Sequence, residues 1–145
     1  MGGVEIPFKQ GLEGHSDADV LLHAIMDAII GSAALGDIGT HFPPGDPAYR
    51  NISSLLLLQE VKNLLQEKGY QVGNIDSTLV AQAPRLQPFL DEMRQNIAGA
   101  LGIKKEFVSV KATTTENLGF AGRGEGMAAY AAALIQKQDE GNPAG

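Results

Sequence analysis

The chain has 145 residues, of which 43% are hydrophobic and 19% charged, and this is the composition of one ordinary globular domain. Its net charge of −6 argues against general nucleic-acid binding and against attachment to an anionic membrane, but still allows a local phosphate site. Because cysteine is absent, disulfides are excluded, metal ligands are limited to histidine and carboxylate, and a cytoplasmic location is favoured. The sequence contains no run of about 18 apolar residues, so it predicts no membrane span.

The chain opens with an alternation of Val4 and Ile6 around Glu5, which predicts that Gly2–Pro7 is the end of a strand. The next stretch, residues 14–23, contains two of the three histidines together with two aspartates. Ser16 and Asp19 have nearly the spacing of a capping box. We therefore predict a helix from about Asp17 to Ala34.

Within this helix Asp19, His23 and Asp27 recur every four residues, so the three polar side chains share one face. The helix is otherwise apolar and is expected to be mostly buried, and buried ionisable groups need a partner or a metal. His23 is therefore either a hydrogen-bonded core histidine or a metal ligand supported by a neighbouring carboxylate. The residues alone leave both interpretations open.

The rest of the chain alternates helical and extended patterns. Residues 39–53 form a proline-rich loop, and Ser53 or Ser54 caps a second helix that ends at Lys68-Gly69. Then follow a strand over Asn74–Gln82, a helix over Pro88–Leu101, a strand over Phe107–Ala112 and a last element over Met127–Gln136, whose alanines favour helix without deciding it. This order predicts one α/β or α+β domain over residues 1–137, with helices covering a single sheet, and a disordered tail over 138–145.

Polar clusters lie at the predicted strand ends. Thr113, Thr114 and Thr115 follow a strand, and such hydroxyls and free amides suit phosphate oxygens, while Glu116 can hold a bridging divalent cation. Ala81–Arg85 gives a weaker signal at another strand end. The simplest interpretation of Asp37–Gly39 and Phe42–Asp46 is a proline-rich connector with aspartate-capped turns. The glycines of 119–126 indicate either a flexible or a closely packed segment.

Several of these motifs occur together, in the order Gly14-His15-Ser16-Asp17, Ala34-Leu35-Gly36-Asp37-Ile38-Gly39, Ala81-Gln82-Ala83-Pro84, Lys111-Ala112-Thr113-Thr114-Thr115-Glu116 and Gly122-Arg123-Gly124-Glu125-Gly126. This series resembles the 2-C-methyl-D-erythritol 2,4-cyclodiphosphate synthase family of the non-mevalonate isoprenoid pathway. The resemblance extends from Gly2 to about Gln136, and its motifs are long and specific.

The resemblance implies an α+β fold with one four-stranded mixed sheet covered by helices on one face, in which Met127–Gln136 is a strand. It implies a homotrimer with active sites between subunits. The implied activity is that of a cytoplasmic phosphorus–oxygen lyase acting on a cytidine diphosphate ester, 4-diphosphocytidyl-2-C-methyl-D-erythritol 2-phosphate. Attack of the 2-phosphate on the β-phosphorus gives the cyclic diphosphate and CMP. Whether an isoprenoid effector binds near Phe120 on the threefold axis is left open.

The resemblance also implies roles for single residues. His15 and Thr114 match the positions that support the transition state, and His23 matches a zinc ligand. Glu116 matches the ligand of a Mg²⁺ or Mn²⁺ ion between the phosphates. The implied substrate contacts are His15 and Ser16 on the phosphate, Asp37, Ile38, Gly39, Phe42 and Asp46 on the methylerythritol portion, Ala81, Pro84, Arg85, Thr113, Thr114, Thr115 and Glu116 around the cytidine and phosphates, and Phe120 and Arg123 near the threefold axis.

The sequence departs from the family pattern at several positions. Pro44-Gly45 stands where the family usually has Asp-Thr, Arg85 replaces lysine with a different donor geometry, and Asn117 and Ala121 replace lysine and threonine. Family members carry two further zinc ligands in an Asp-x-His strand before Gly2, and no Asp-x-His occurs in this sequence. We therefore expect a truncated form of the enzyme. The alternatives are a non-catalytic trimeric module that binds a nucleotide phosphate, and a binding protein for another phosphate ester.

Overall fold

The computed structural model describes residues 1–6, 19–49, 51–123 and 126–138. Its helices are α1 (Val20–Ser32), α2 (Ile38–His41), α3 (Ser54–Glu67), α4 (Leu90–Leu101) and α5 (Gly119–Gly122). Its strands are β1 (Tyr70–Val80), β2 (Val108–Thr113) and β3 (Ala128–Lys137). None of the helices within these ranges is long and apolar enough to cross a membrane.

The strands form one mixed sheet in the order β2-β1-β3. β1 runs parallel to β2, with Val80 opposite Thr113, and antiparallel to β3, with Val80 also opposite Ala128. The carboxyl ends of β1 and β2 therefore meet the beginning of β3 at one edge of the sheet. This edge carries most of the strand-end motifs that the sequence singles out.

Helices α1, α3 and α4 pack on one face of the sheet and bury its apolar side chains. Along β1, Ile75, Ser77 and Leu79 face this core, whereas Asp76 is exposed, as a half-buried strand requires. The opposite face of the sheet is open in the single chain. It presents the large side chains of Tyr130 and Leu134 on β3, which are 67% and 66% exposed.

The expected α+β class with a mixed sheet is confirmed, but the described residues form three strands rather than the four that we expected. The predicted strand at Gly2–Pro7 is absent over residues 1–6. Gly2 and Gly3 instead take positive φ angles of 55° and 74°, and their N–H groups donate to the carboxylate of Asp19 at 2.9 and 3.0 Å. Because these N–H groups donate to a side chain, they are not available to pair with a neighbouring strand. Pro7 lies outside the described residues.

Helix α1 is shorter than predicted. The buried Asp19 is its N-cap and accepts a hydrogen bond from the N–H of Leu22 at 3.1 Å, while the predicted cap at Ser16 lies outside the described residues. The expectation of a buried polar stripe is wrong for His23 and Asp27, which are exposed. The helix buries another stripe, formed by Leu21, Leu22, Ile25, Met26, Ile29 and Ile30.

Other predictions fare better. Ser53 caps α3, and its hydroxyl accepts a hydrogen bond from the N–H of Leu56 at 3.2 Å. The alanine-rich last element is a strand, because β1 supplies its backbone partners along its whole length and Ala129, Ala131 and Ala133 pack toward the core. The short helix α2 was not predicted; it begins one residue before the proline-rich loop and extends into it.

Candidate active site

Two of the predicted segments lie side by side at the sheet edge, and we call Ala81–Arg85 and Thr113–Asn117 together the strand-end cluster. The N–H of Ala81 donates to the carbonyl of Thr113 at 3.0 Å, which extends the parallel pairing of β1 and β2 by one residue. The N–H of Asn117 donates to Oε1 of Gln82 at 3.1 Å. The structure therefore joins the two segments, 35 residues apart along the chain, by direct hydrogen bonds.

The turn after β2 has an unusual backbone. Glu116 and Asn117 both have left-handed φ angles, of 53° and 65°, which side chains other than glycine and asparagine rarely adopt. The N–H of Glu116 donates to Oγ1 of Thr114 at 3.3 Å, and the N–H of Leu118 donates to the carbonyl of Thr115 at 3.1 Å. These contacts leave the carboxylate of Glu116 exposed at the sheet edge.

Gly122 of α5 packs directly against this turn. A Cβ atom at Gly122 would lie 2.2 Å from the carbonyl carbon of Asn117 and 2.7 Å from Oγ1 of Thr115, so no larger residue fits there without movement. Phe120, on the same helix, is 50% exposed. The exposed Arg123 follows α5 directly.

The strand-end cluster has hydrogen-bond donors for phosphate oxygens and a carboxylate that suits a cation. Thr113 and Thr114 are exposed hydroxyls, Arg85 is an exposed cation, and Glu116 is a carboxylate beside them. Mg²⁺ in proteins is commonly held by one or two carboxylates together with phosphate oxygens of the substrate. This donor set therefore fits a divalent cation that Glu116 and a bound diphosphate would share.

A second candidate region lies between α1 and the start of β3, and we call it the α1 groove. It has a volume of about 440 Å³ and is lined by His23, Asp27 and residues 127–130, among others. Oδ1 of Asp27 accepts a hydrogen bond from the N–H of Ile38 at 2.9 Å, so α1 anchors the beginning of α2. No three histidine or carboxylate side chains of the described residues come together as a metal site. These residues alone do not fit a complete zinc centre.

The residues expected on the methylerythritol portion lie in and after α2. Asp37 caps this helix and accepts hydrogen bonds at 2.9 Å from both the N–H and the hydroxyl of Thr40, which lower the pKa of its carboxyl group. Asp46 accepts a hydrogen bond from the N–H of Ala48 at 2.9 Å. The ring of Phe42 packs edge-on against Tyr49, with the centroids 5.1 Å apart. Both aspartates therefore cap turns, as the simpler sequence interpretation predicted.

The strand-end cluster and the α1 groove lie at the same end of the sheet, with β1 between β2 and β3. The structure does not place His15, Ser16, Gly124 or Glu125, which lie outside the described residues. Two structural contacts were missed from the sequence, the acceptor role of Gln82 and the contact of Asp27 with Ile38. The quoted motif Ala81-Gln82-Ala83-Pro84 contained Gln82, but only the pairing of β1 with β2 reveals its partner.

The fold defines a class of protein, an α+β domain in which helices cover one face of a mixed sheet and polar residues follow the strand ends. The model of the YgbB family matches residues 1–136, and the chain belongs to this family. A curated relative from Moorella thermoacetica, named 2-C-methyl-D-erythritol 2,4-cyclodiphosphate synthase, is 59% identical over 141 residues, which are 97% of this chain and 86% of the relative. The resemblance and the enzyme class predicted from the sequence are confirmed.

Solved structures agree with this assignment. The bifunctional IspDF from Campylobacter jejuni superposes with a TM-score of 0.88 at 43% identity, and the match covers 95% of this chain but 37% of that larger chain. IspF from Plasmodium falciparum, solved as a CDP complex, matches with a TM-score of 0.75 at 32% identity over 86% of this chain and 75% of that chain.

Proposed function

We propose that this chain is a phosphorus–oxygen lyase that converts 4-diphosphocytidyl-2-C-methyl-D-erythritol 2-phosphate to 2-C-methyl-D-erythritol 2,4-cyclodiphosphate and CMP. One observation carries the proposal: β1 and β2 bring Ala81–Arg85 and Thr113–Glu116 together at one sheet edge. The Plasmodium relative that carries CDP has the same fold, which supports a cytidine diphosphate ester as the ligand of this edge.

The reaction is an intramolecular phosphoryl transfer. An oxygen of the 2-phosphate forms a bond to the β-phosphorus, the bond from that phosphorus to the oxygen bridging to the α-phosphate breaks, and CMP leaves with the electron pair. Such a transfer needs alignment and charge neutralisation more than covalent help. The proposed role of this chain is to hold the ester in a bent conformation that brings the two phosphates together.

Thr114 is the proposed donor to the reacting phosphate. Its Oγ1 already accepts the N–H of Glu116, which leaves the hydroxyl proton for a phosphate oxygen. Donors placed where negative charge develops are typically worth 10²–10³ in rate. Arg85 would bind neighbouring oxygens, and Ala81 and Pro84 would border the cytidine. The hydroxyls of Thr113 and Thr115 donate to the carbonyls of Thr114 and Leu118, so they would have to rotate to bind the phosphates.

Glu116 is the proposed ligand of a Mg²⁺ or Mn²⁺ ion, which would neutralise charge on the two phosphates. His15 and Ser16 would hold the 2-phosphate, with His15 supporting the transition state. The methylerythritol portion would lie against Asp37–Gly39, Phe42 and Asp46, and Phe120 and Arg123 would complete the site. His23 would contribute one ligand to zinc.

We further propose a homotrimer whose subunits meet through the open face of the sheet, with sites between neighbouring subunits. The support is the exposure of Tyr130 and Leu134 on that face, since large apolar side chains clustered on a surface commonly mark an interface. A neighbouring subunit could then supply groups at the sheet edge that the single chain lacks. We also propose a cytoplasmic location, which agrees with the absence of cysteine.

The proposal is tested by incubating the purified chain with the cytidine diphosphate ester and Mg²⁺ or Mn²⁺. We expect ³¹P NMR to show the cyclic diphosphate appearing at the rate at which CMP is released. Release of CMP without the cyclic product would indicate hydrolysis and contradict the proposal. A Thr114→Ala variant, with slower turnover but an unchanged melting temperature, would locate the chemistry at this edge.

A second candidate is the non-catalytic trimeric module that binds a nucleotide phosphate. It is favoured by the incomplete metal set in the described part of the chain. CMP would then raise the melting temperature without any turnover. Stoichiometric zinc that survives dialysis, together with product formation, would exclude this candidate. If neither CDP nor CMP shifts the melting temperature, a different phosphate ester is the ligand.

A further inference from the structure

Gln82 has no role in the proposed chemistry, yet it makes the side-chain contact that ties the two halves of the strand-end cluster together. It is half-buried just beyond the end of β1, and its Oε1 accepts the N–H of Asn117 at 3.1 Å. Asn117 directly follows Glu116 and lies three residues after Thr114. A side chain of the nucleotide segment therefore holds the backbone of the segment that carries the proposed donor and cation ligand.

We propose that Gln82 is a positioning residue, which fixes the turn bearing Thr114 and Glu116 for the phosphoryl transfer. The kinetic part of this inference rests on the proposed function. The structural part rests on the hydrogen bond itself and can be tested by ligand binding alone.

The turn needs to be held because its backbone is unfavourable. Two consecutive residues, Glu116 and Asn117, take left-handed φ angles, and glutamate has no local means of stabilising that conformation. Strained backbone of this kind persists where the surrounding structure determines it. Without an external contact, the turn would relax and carry the Glu116 carboxylate away from the sheet edge.

Among the described residues, two contacts from outside the turn hold it from two directions. Gln82 binds the N–H of Asn117 from the side of β1, whereas Gly122 packs against the carbonyl carbon of the same residue from α5. The Gly122 contact is steric and excludes conformations, while the Gln82 contact is directional and selects one of those that remain. Gln82 is therefore the side chain through which a ligand on Ala81–Arg85 is coupled to Glu116.

The test compares Gln82→Met, which keeps the length of the side chain but removes the acceptor, with Gln82→Glu, which keeps an acceptor. Gln59→Met, at an exposed position of α3, is the matched control. We expect Gln82→Met to lower kcat about tenfold, the change that the loss of one ordinary hydrogen bond produces. KM should change less than kcat, while Gln82→Glu stays within about threefold of the wild type and Gln59→Met equals it.

A second measurement does not depend on turnover. In electron paramagnetic resonance titrations with CDP present, Mn²⁺ should bind several-fold more weakly to Gln82→Met than to wild type or Gln59→Met. If wild type releases no CMP, the proposed function fails, and this titration still decides the role of Gln82. Equal Mn²⁺ affinity in wild type and Gln82→Met would overturn the inference.

A double-mutant cycle separates positioning from general stability. Combined with Glu116→Gln, the Gln82→Met change should lower kcat much less than it does alone, because the carboxylate that it positions is no longer present. Additive losses in kcat would show that Gln82 acts on the fold as a whole and would overturn the inference. So would a failure of Gln82→Glu to restore kcat.

Discussion

The strand-end cluster and the α1 groove lie at the same end of the sheet, but contacts within the chain organise the first much more completely than the second. In the strand-end cluster, the turn over Thr114–Asn117 is held by hydrogen bonds from within the chain, and Gly122 closes it from behind. In the α1 groove, His23 is exposed, and one oxygen of Asp27 is already engaged by Ile38. The first region is organised within a single chain, whereas the second needs further groups before it can hold a metal.

This difference separates the two parts of the proposed chemistry. Binding of the cytidine diphosphate and its cation is assigned to residues that one chain arranges, so it should survive in a monomer at reduced strength. Zinc binding is assigned to a region that has one histidine, His23, and the carboxylate of Asp27, which already accepts a hydrogen bond from Ile38. Variants in each region should therefore affect the two parts separately.

Glu116→Gln removes the proposed cation ligand from the strand-end cluster while keeping the size of the side chain. We expect kcat to fall about 100-fold or more, since the loss of preorganised charge stabilisation in phosphoryl transfer is of that order. Steady-state CMP release measures this, with Glu60→Gln on the exposed side of α3 as control. If the Glu116→Gln enzyme is as active as the control, Glu116 is not the ligand of the catalytic cation.

Leu134→Asp places a charge on the open face of the sheet, where the leucine is 66% exposed in the single chain. If this face is the subunit interface, the charge would be buried without a partner and the trimer should dissociate. Sedimentation velocity would show the monomer, whereas Leu56→Asp, at a 52% exposed position of α3, should leave the trimer intact. CMP should still raise the melting temperature of the Leu134→Asp monomer.

Asp27→Ala removes the acceptor that holds the N–H of Ile38 and should loosen the start of α2. We expect kcat/KM for the full ester to fall about tenfold, with little change in CMP affinity, because α2 faces the proposed methylerythritol portion rather than the nucleotide. Asp27→Asn keeps an acceptor oxygen and should recover most of the loss. If Asp27→Ala lowers the affinity for CMP as much as it lowers kcat/KM for the full ester, the two regions are not independent.

Acid should lower the stability of the fold only slightly through the ion pair of Asp76 and Lys111 on the open face of the sheet. The ammonium of Lys111 lies 2.6 Å from Oδ1 of Asp76 and lowers the pKa of that carboxyl group. A lowered folded-state pKa means that the stabilisation is present above the unfolded pKa of about 4 and is lost as the pH falls through the folded value. Because both side chains are about half exposed, Asp76→Asn should cost less than about 1 kcal/mol at pH 7. Melting curves should converge near pH 2.

The helices with strong apolar periodicity and a side-chain cap could be predicted from the sequence, and α3 with its Ser53 cap is the clearest case. The strand before the threonines was also predicted, over Phe107–Ala112, and it is observed as β2. These features depend on residues close together in the chain, where spacing and propensity act directly.

The rest depends on contacts between distant residues. The acceptor role of Gln82 requires knowing that β1 pairs with β2 in parallel. Residues 128–137 form a strand because β1 pairs with them along their length. Asp19 looked like one member of a polar stripe, but Gly2 and Gly3 supply its partners. Local pattern cannot rank such competing partners for one side chain.

One further contact bears on how the chain folds. The hydroxyl of Ser32, in the last turn of α1, donates to the carbonyl of Ala133 on β3, 101 residues later, and α1 packs broadly against that strand. During synthesis the apolar face of α1 therefore stays partly exposed until β3 has been made and packs against it. Such non-local pairing slows folding and leaves the edge of β1 unprotected until residue 137 has emerged.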